Sequence, residues 1–265
     1  MKPIALSLSK FDQESVNEDS VYATSSIIAV SDGAGGGGLY AEKWSAYLIE
    51  NIPKQPITTF EELDSWIESI WEPFYNDCEV VAKKSGGLLL DKFYDEGSFA
   101  TLAVAWKESN HVVKWMSYGD SVVFHYNMRI GILEHSFTSL SDFNSPPYLI
   151  NCKDPLDENG FRTGVFNITE DSYLFCASDA LAFYILLIYE LSQCSIYHYD
   201  LEKLELSNGK NVQHLKCAML QKEGFKTSIK KLLNCRTEIN LERHIRKLLK
   251  LGLISVDDYS IAIIH

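Results

Sequence analysis

Residues 26–38 read SIIAVSDGAGGGG. A short apolar, partly β-branched run ends on Asp32, and the chain then passes at once into a cluster of glycines. The run is too short for a buried helix and is bounded by turn chemistry, so it predicts a buried strand. Three meanings are open for the glycines: a flexible linker, a phosphate cradle, or a place where backbone comes close to something charged. A phosphate-binding loop of the Walker type needs Lys-Ser or Lys-Thr directly after its glycines, whereas the nearest lysine here, Lys43, is followed by Trp44. A linker is excluded by the patterned segments that adjoin on both sides. What remains is a strand that delivers a carboxylate to a tight turn.

Outward from this stretch, similar apolar runs recur at FATLAVAW (99–106), HVVKWMSYG (111–119), SVVFHYN (121–127), SYLFCAS (172–178) and SIAIIH (260–265). Helical spacing occupies the gaps. A short helix is predicted over 40–51, with Trp44, Tyr47 and Leu48 on one face. A longer one starts at a capping box of Thr59 and Glu62, with Leu63, Ile67, Ile70, Trp71, Phe74, Cys78 and Val81 at helical spacing. LAFYILLIYELSQ follows Asp179, and TSIKKLLNC and NLERHIRKLLKLG supply two further helices. Helices grouped between blocks of strands, without regular alternation, predict an α+β fold with helices on the outer faces of largely antiparallel sheets. The prolines and asparagines of 136–170 predict an irregular surface loop.

At 265 residues and 46% hydrophobic content the chain suits one large domain, residues 1–265. A formal net charge of −12 argues against a nucleic-acid partner, and no run is long and apolar enough to be a membrane span. The first ten residues lack the apolar stretch of a signal peptide. Cysteines 78, 152, 176, 194, 217 and 235 lack zinc or disulfide spacing and read as reduced thiols, which points to a cytoplasmic protein. The seven histidines are dispersed, and no G-x-S-x-G elbow supports a serine hydrolase. A cluster of lysines and arginines over 222–250 reads as a solvated helix face; a docking face for an acidic or phosphorylated partner is the sharper alternative.

The acids fall at the ends of the apolar runs. Asp32 and Asp179 each close one, Asp120 sits in a turn between two, Asp257 and Asp258 open the last, and Glu18 and Asp19 precede another. Carboxylates beside buried strands are costly to desolvate unless a positive charge offsets them. Hard divalent cations do so with oxygen ligands alone, which favours magnesium or manganese over zinc.

The ordered set NEDS (17–20), AVSDGAGG (29–36), GSFATLAVA (97–105), YGDS (118–121), LFCASDAL (174–181) and DDYSIAII (257–264) resembles the metal-dependent, type 2C serine/threonine protein phosphatases, in particular compact bacterial members. The blocks span nearly the whole chain. The resemblance implies a four-layer αββα sandwich, two antiparallel β-sheets flanked by helices, with a two-metal site at one end. It implies that Asp32 bridges two Mn2+ or Mg2+ ions, that the Gly33 carbonyl binds the first, and that Asp179 and Asp257 hold the second. Glu18 and Asp19 match an acidic pair that orients metal-bound water, and Asp120 matches an aspartate for a weaker third ion. The implied activity is hydrolysis of phosphoserine and phosphothreonine in a protein substrate by a metal-bridging hydroxide, with a cognate Ser/Thr kinase as a further partner.

Four positions depart from the family pattern. Glu14 stands where an arginine commonly grips the phosphate, leaving that task to another cation such as Lys10. Ala34 replaces a histidine general acid. Ala180 replaces a glycine, at a cost of roughly 1 kcal/mol if that residue needs a positive φ. Phe183 replaces an acid that partners the third ion, which leaves the third site unsupported. These departures define the alternative, a catalytically weak phosphatase-like regulatory or binding module.

Overall fold

The computed structural model describes residues 2–11, 16–36, 38–193, 199–207, 209 and 211–265; Glu14, Gly37, Cys194 and His198 lie outside the described residues. The chain begins with β1 (Ile4–Leu8), β2 (Ser20–Ala23) and β3 (Ile27–Ser31), then α1 (Ala41–Glu50), α2 (Phe60–Ser85) and α3 (Gly87–Glu96). It continues through β4 (Phe99–Ala100), β5 (Leu102–Lys107), β6 (Val112–Tyr118), β7 (Val122–Asn127), β8 (Ile132–His135), β9 (Ile150–Asn151), β10 (Phe161–Asn167) and β11 (Ser172–Ala177). The helices α4 (Asp179–Gln193), α5 (Tyr199–Leu206), α6 (Val212–Met219), α7 (Phe225–Leu233) and α8 (Glu238–Lys250) precede the last strand, β12 (Tyr259–Ile264).

Two five-stranded sheets form, in the orders β1-β12-β11-β7-β8 and β10-β6-β5-β3-β2, with every pairing antiparallel. Side-chain alternation assigns the layers, because successive residues of a strand face opposite sides. Ile28 and Val30 of β3 pack with Leu174, Cys176 and Ala262 of the other sheet, while Ala29 between them packs with Trp44 and Leu48 of α1. On β12, Ala262 and Ile264 face the opposite sheet, and Ile261 and Ile263 face α4. The result is the α+β, four-layer sandwich expected, with α1 to α3 on one outer face and α4 to α8 on the other. Each fully buried Ile or Leu of these strands contributes about 1.5–3 kcal/mol by leaving water.

The predicted helices form as α1, α2, α4, α7 and α8, whereas α3, α5 and α6 are additions that the sequence pattern does not predict. Thr59 Oγ1 accepts from the Glu62 N–H at 3.2 Å and the Glu62 carboxylate accepts from the Thr59 N–H at 3.3 Å, so the capping box closes. α4 is buried on nearly every side because the sheet lies against one flank and the later helices cover the rest. Among the described residues, no helix is long and apolar enough to cross a membrane.

Several expectations need correction. The segment 136–170 is not only a loop, since it contributes β9 and the edge strand β10. β10 carries Gly164, opposite Trp115 of β6, and a Cβ there would fall 2.5 Å from the indole ring. The tryptophan thus covers a position that reads as a strand breaker. FATLAVAW divides at Thr101 into β4 and β5. Val81 lies on the exposed side of α2. Ala180 lies inside α4, and Tyr40 is the sole non-glycine residue with positive φ among the described residues, so the expected penalty at Ala180 does not arise.

Candidate metal centre

The acids occupy the connections at one end of the sandwich. Asp32 follows β3, Asp120 lies in the turn from β6 to β7, Asp179 opens α4, Asp257 lies just before β12, and Asp19 just before β2.

Two hydrogen-bonded straps hold these connections. In the first, Asp32 is gripped through its backbone: the Thr101 N–H donates to the Asp32 carbonyl at 2.8 Å, and the Asp32 N–H donates to Thr101 Oγ1 at 3.3 Å. Thr101 Oγ1 also meets Ser121 Oγ at 2.7 Å, which ties the Asp32 turn on one sheet to the residue after Asp120 on the other. In the second, the Ser178 N–H donates to the Ser260 carbonyl at 3.1 Å, and the Ser260 N–H donates to Ser178 Oγ at 3.0 Å. Ser260 Oγ donates to Ser7 Oγ, which accepts from Asn17 Nδ2, and Asn17 Oδ1 accepts from the Asp19 N–H at 3.0 Å. This strap joins the segments before Asp179, after Asp257 and before Asp19. Both use buried hydroxyls, whose loss leaves polar groups unpaired.

Glycine is required at two points. A Cβ on Gly33 would lie 2.7 Å from the carbonyl oxygens of both Ala41 and Glu18. Gly119, next to Asp120, has φ +88°, and a Cβ there would lie 2.6 Å from the Tyr148 carbonyl oxygen.

The acids lie near enough to act on one another's charge. Burial, then the charges of Asp19, Asp179, Asp120 and Asp257, hold the Asp32 carboxyl well above the usual carboxylate range. Burial, then Asp120, Asp257 and Asp19, do the same to Asp179, although Asp179 Oδ1 accepts from the Ala180 N–H at the N-terminus of α4. Asp32 and Asp179 retain some solvent contact but are densely surrounded by protein, so desolvation dominates. Burial raises the Asp19 carboxyl to about 7, with the Ser260 hydroxyl opposing and the Asp258 charge adding to the rise. The Ser178, Ser260 and Asp32 side chains approach Asp19, yet neither of its buried carboxylate oxygens has a partner of hydrogen-bonding geometry. Ser260 Oγ donates instead to Ser7 Oγ.

The remaining acids divide by role. Asp258 is a clasp: its carboxylate accepts from the Lys10 N–H at 2.7 Å and the Glu18 N–H at 2.8 Å. Glu18 is raised by burial, opposed chiefly by the nearby charge of Lys10. Phe183 packs edge-on against Phe143 in the core. Sequence reasoning passed over Thr101, Ser121 and Arg162. The first two were visible as polar residues interrupting apolar runs. Arg162 on β10 donates from Nη1 to the Gly119 carbonyl at 2.9 Å, and Asp120 and Asp142 act on its charge, opposing the lowering by burial.

This donor set fits hard divalent cations. Its side-chain donors are carboxylate oxygens, and the unpartnered oxygens of Asp19 lie amid mutually repelling acids that a cation would relieve. Among the described residues, no group of three or more His, Cys, Asp or Glu is arranged to hold an ion as it stands. Repulsion reaches further than coordination, so the acids sense one another without standing at ligand spacing.

No protein-family profile matches the sequence, and no curated protein matches it in sequence. Solved structures do match in fold. The catalytic domain of the serine/threonine protein phosphatase PstP, in complex with two manganese ions, aligns with a TM-score of 0.54 at 15% identity, over 99% of this chain and 96% of that one. Stp1 from Staphylococcus aureus aligns with a TM-score of 0.52 at 12% identity, over 99% and 94%. PppA, a regulatory component of the type VI secretion system in Pseudomonas aeruginosa, aligns with a TM-score of 0.52 at 14% identity, over 99% and 96%. The chain therefore has the fold of the type 2C serine/threonine phosphatases.

Proposed function

We propose that the chain, as one domain, is a Mn2+- or Mg2+-dependent phosphatase that hydrolyses phosphoserine or phosphothreonine in proteins. The observation that carries this reading is Asp19, buried with both carboxylate oxygens unpartnered, its charge raising the carboxyls of Asp32 and Asp179. Asp32, Asp179 and Asp257, with the Gly33 carbonyl, would hold two ions, and Asp19 and Glu18 would orient water. Asp120 would serve a third ion, although the core placement of Phe183 removes the acid that would help it. When bound, the ions supply Lewis acidity that activates water and offsets charge on the phosphoryl oxygens.

The chain's own groups do the rest. The two straps fix the backbone of the turns that carry the carboxylates. Lys10 beside Glu18 and Arg162 beside Asp120 supply positive charge at two margins of the acids, where a substrate phosphate needs it. The five cysteines among the described residues are unpaired, which supports a reducing, cytoplasmic setting. A phosphorylated protein is the implied substrate and a Ser/Thr kinase the implied counterpart.

The test is Mn2+-dependent release of phosphate from a phosphothreonine peptide, with Asp179→Asn as control. Turnover lost in the variant supports the proposal; equal turnover, or none with any divalent ion, refutes it. Calorimetric Mn2+ binding without turnover would instead make the chain a phosphatase-like binding module.

A further inference from the structure

On the helical side opposite α1 to α3, a cavity of about 380 Å3 opens among α4, α6, α7 and α8. None of its lining residues belongs to the acid cluster, and the proposed hydrolysis uses none of them. Its volume falls in the range of small-ligand sites, about 300–1,000 Å3. One part of the wall is apolar, with Ile188 and Leu191 of α4, Met219 of α6 and Leu248 of α8, and the rest is polar. Leu251 and Met219 are partly solvent-exposed, so apolar surface continues outward.

The polar lining carries the opposite sign to the protein as a whole. Three lysines, Lys222, Lys231 and Lys247, face one acid, Glu223, on a chain of net charge −12. Glu223 is paired with Lys231, whereas among the described residues Lys222 and Lys247 meet no carboxylate. His244 adds a further polar group, with Nε2 buried and without a hydrogen-bond partner. Burial, reinforced by Lys247 and Lys231, pushes its imidazole down to about 4, so the ring is neutral at physiological pH. An unpaired buried nitrogen is costly and marks a place where a ligand gains a polar contact.

We propose that this cavity is a binding site for a small amphipathic monoanion, a medium-chain carboxylate in class, with its tail on the leucine-rich wall and its carboxylate between Lys222 and Lys247. An inorganic anion would leave the apolar wall wet, and a neutral lipid would leave the two lysines unused. The compact volume suits one short chain and not a docked helix, which takes an open groove.

The probe is decanoate, titrated calorimetrically into the full chain, with acetate and decylamine as controls. Saturable decanoate binding with a Kd below about 1 mM is expected, with neither control binding saturably. The double variant Lys222→Glu/Lys247→Glu alters exposed side chains and is expected to keep its circular dichroism while weakening decanoate about tenfold or more. The His244 imidazole nitrogen resonances are expected to shift with decanoate occupancy. Equal affinity in the double variant, equal binding of decylamine, no saturable binding to the wild-type chain, or binding of an acidic amphipathic peptide in place of decanoate each overturns the proposal.

Discussion

Removing the charge of Asp19 tests directly whether the converging acids strain the metal-free fold. Burial raises this carboxyl from 3.8 to about 7. Below 3.8 both folded and unfolded chains hold the proton, and the stability is fully present. Between 3.8 and about 7 the folded chain keeps a proton that the unfolded chain has released, so stability falls as pH rises, by about 1.4 kcal/mol per pH unit. From pH 5 to 7 the loss attributable to Asp19 is therefore roughly 2–3 kcal/mol. Asp32 and Asp179 shift the same way, and the Asp19 charge contributes to both. His135, His244 and His265, all lowered by burial, act oppositely: their stability is present above the ordinary histidine range and is lost as pH falls through their folded values. The difference between wild type and Asp19→Asn cancels those histidines. Urea unfolding in chelator at pH 5 and pH 7.5 is the assay. The variant is expected to gain roughly 2–3 kcal/mol on wild type between the two pH values. A difference constant within about 0.5 kcal/mol would mean that Asp19 is not held protonated by its surroundings, and would refute the reasoning.

Other outcomes follow from named contacts. Thr101→Val removes the hydroxyl that joins Ser121 to the Asp32 turn, and is expected to cost about 1–3 kcal/mol in urea unfolding while weakening calorimetric Mn2+ binding. Gly119→Ala must place a side chain at φ +88° against the Tyr148 carbonyl, for a loss of about 2 kcal/mol or more in thermal unfolding. Asp258→Asn weakens the acceptors of the Lys10 and Glu18 N–H groups, so stability is expected to fall by about 1–2 kcal/mol with Mn2+ affinity unchanged, whereas Asp257→Asn is expected to do the reverse. Arg162→Ala is expected to raise KM for a phosphopeptide more than it lowers kcat, as read from steady-state phosphate release.

The layered architecture was legible because burial on both faces of a strand leaves continuous apolar runs, as in IIAVS and SIAII, and because α4 is apolar all round. The edge elements were not. β10 exposes one face and carries a glycine that only the cross-strand Trp115 makes tolerable, a long-range fact. α3 was passed over because its helical positions begin at a Gly86-Gly87 pair that reads as a break, and both glycines adopt positive φ. At the site, the positions of Asp32, Asp120, Asp179 and Asp257 at strand ends were visible, but their convergence was not, since pairing order is invisible to periodicity. Asp257 and Asp258 looked alike as neighbours, and only the alternation into β12 sends one to the clasp and leaves the other among the acids.

The pairing of β1 with β12 also governs how the chain can be rewired. Ile4 stands opposite Ile263, so the outer ends of the first and last strands are neighbours on one sheet. The opposite ends of the same strands, Leu8 and Tyr259, adjoin the Asp258 clasp and the acids. A few flexible residues joining the two outer ends would close the backbone into a ring away from the candidate centre. New ends cut at the Gly86-Gly87 junction, where a Cβ would meet nothing, would then give a circular permutant that keeps every strand pair and both straps intact.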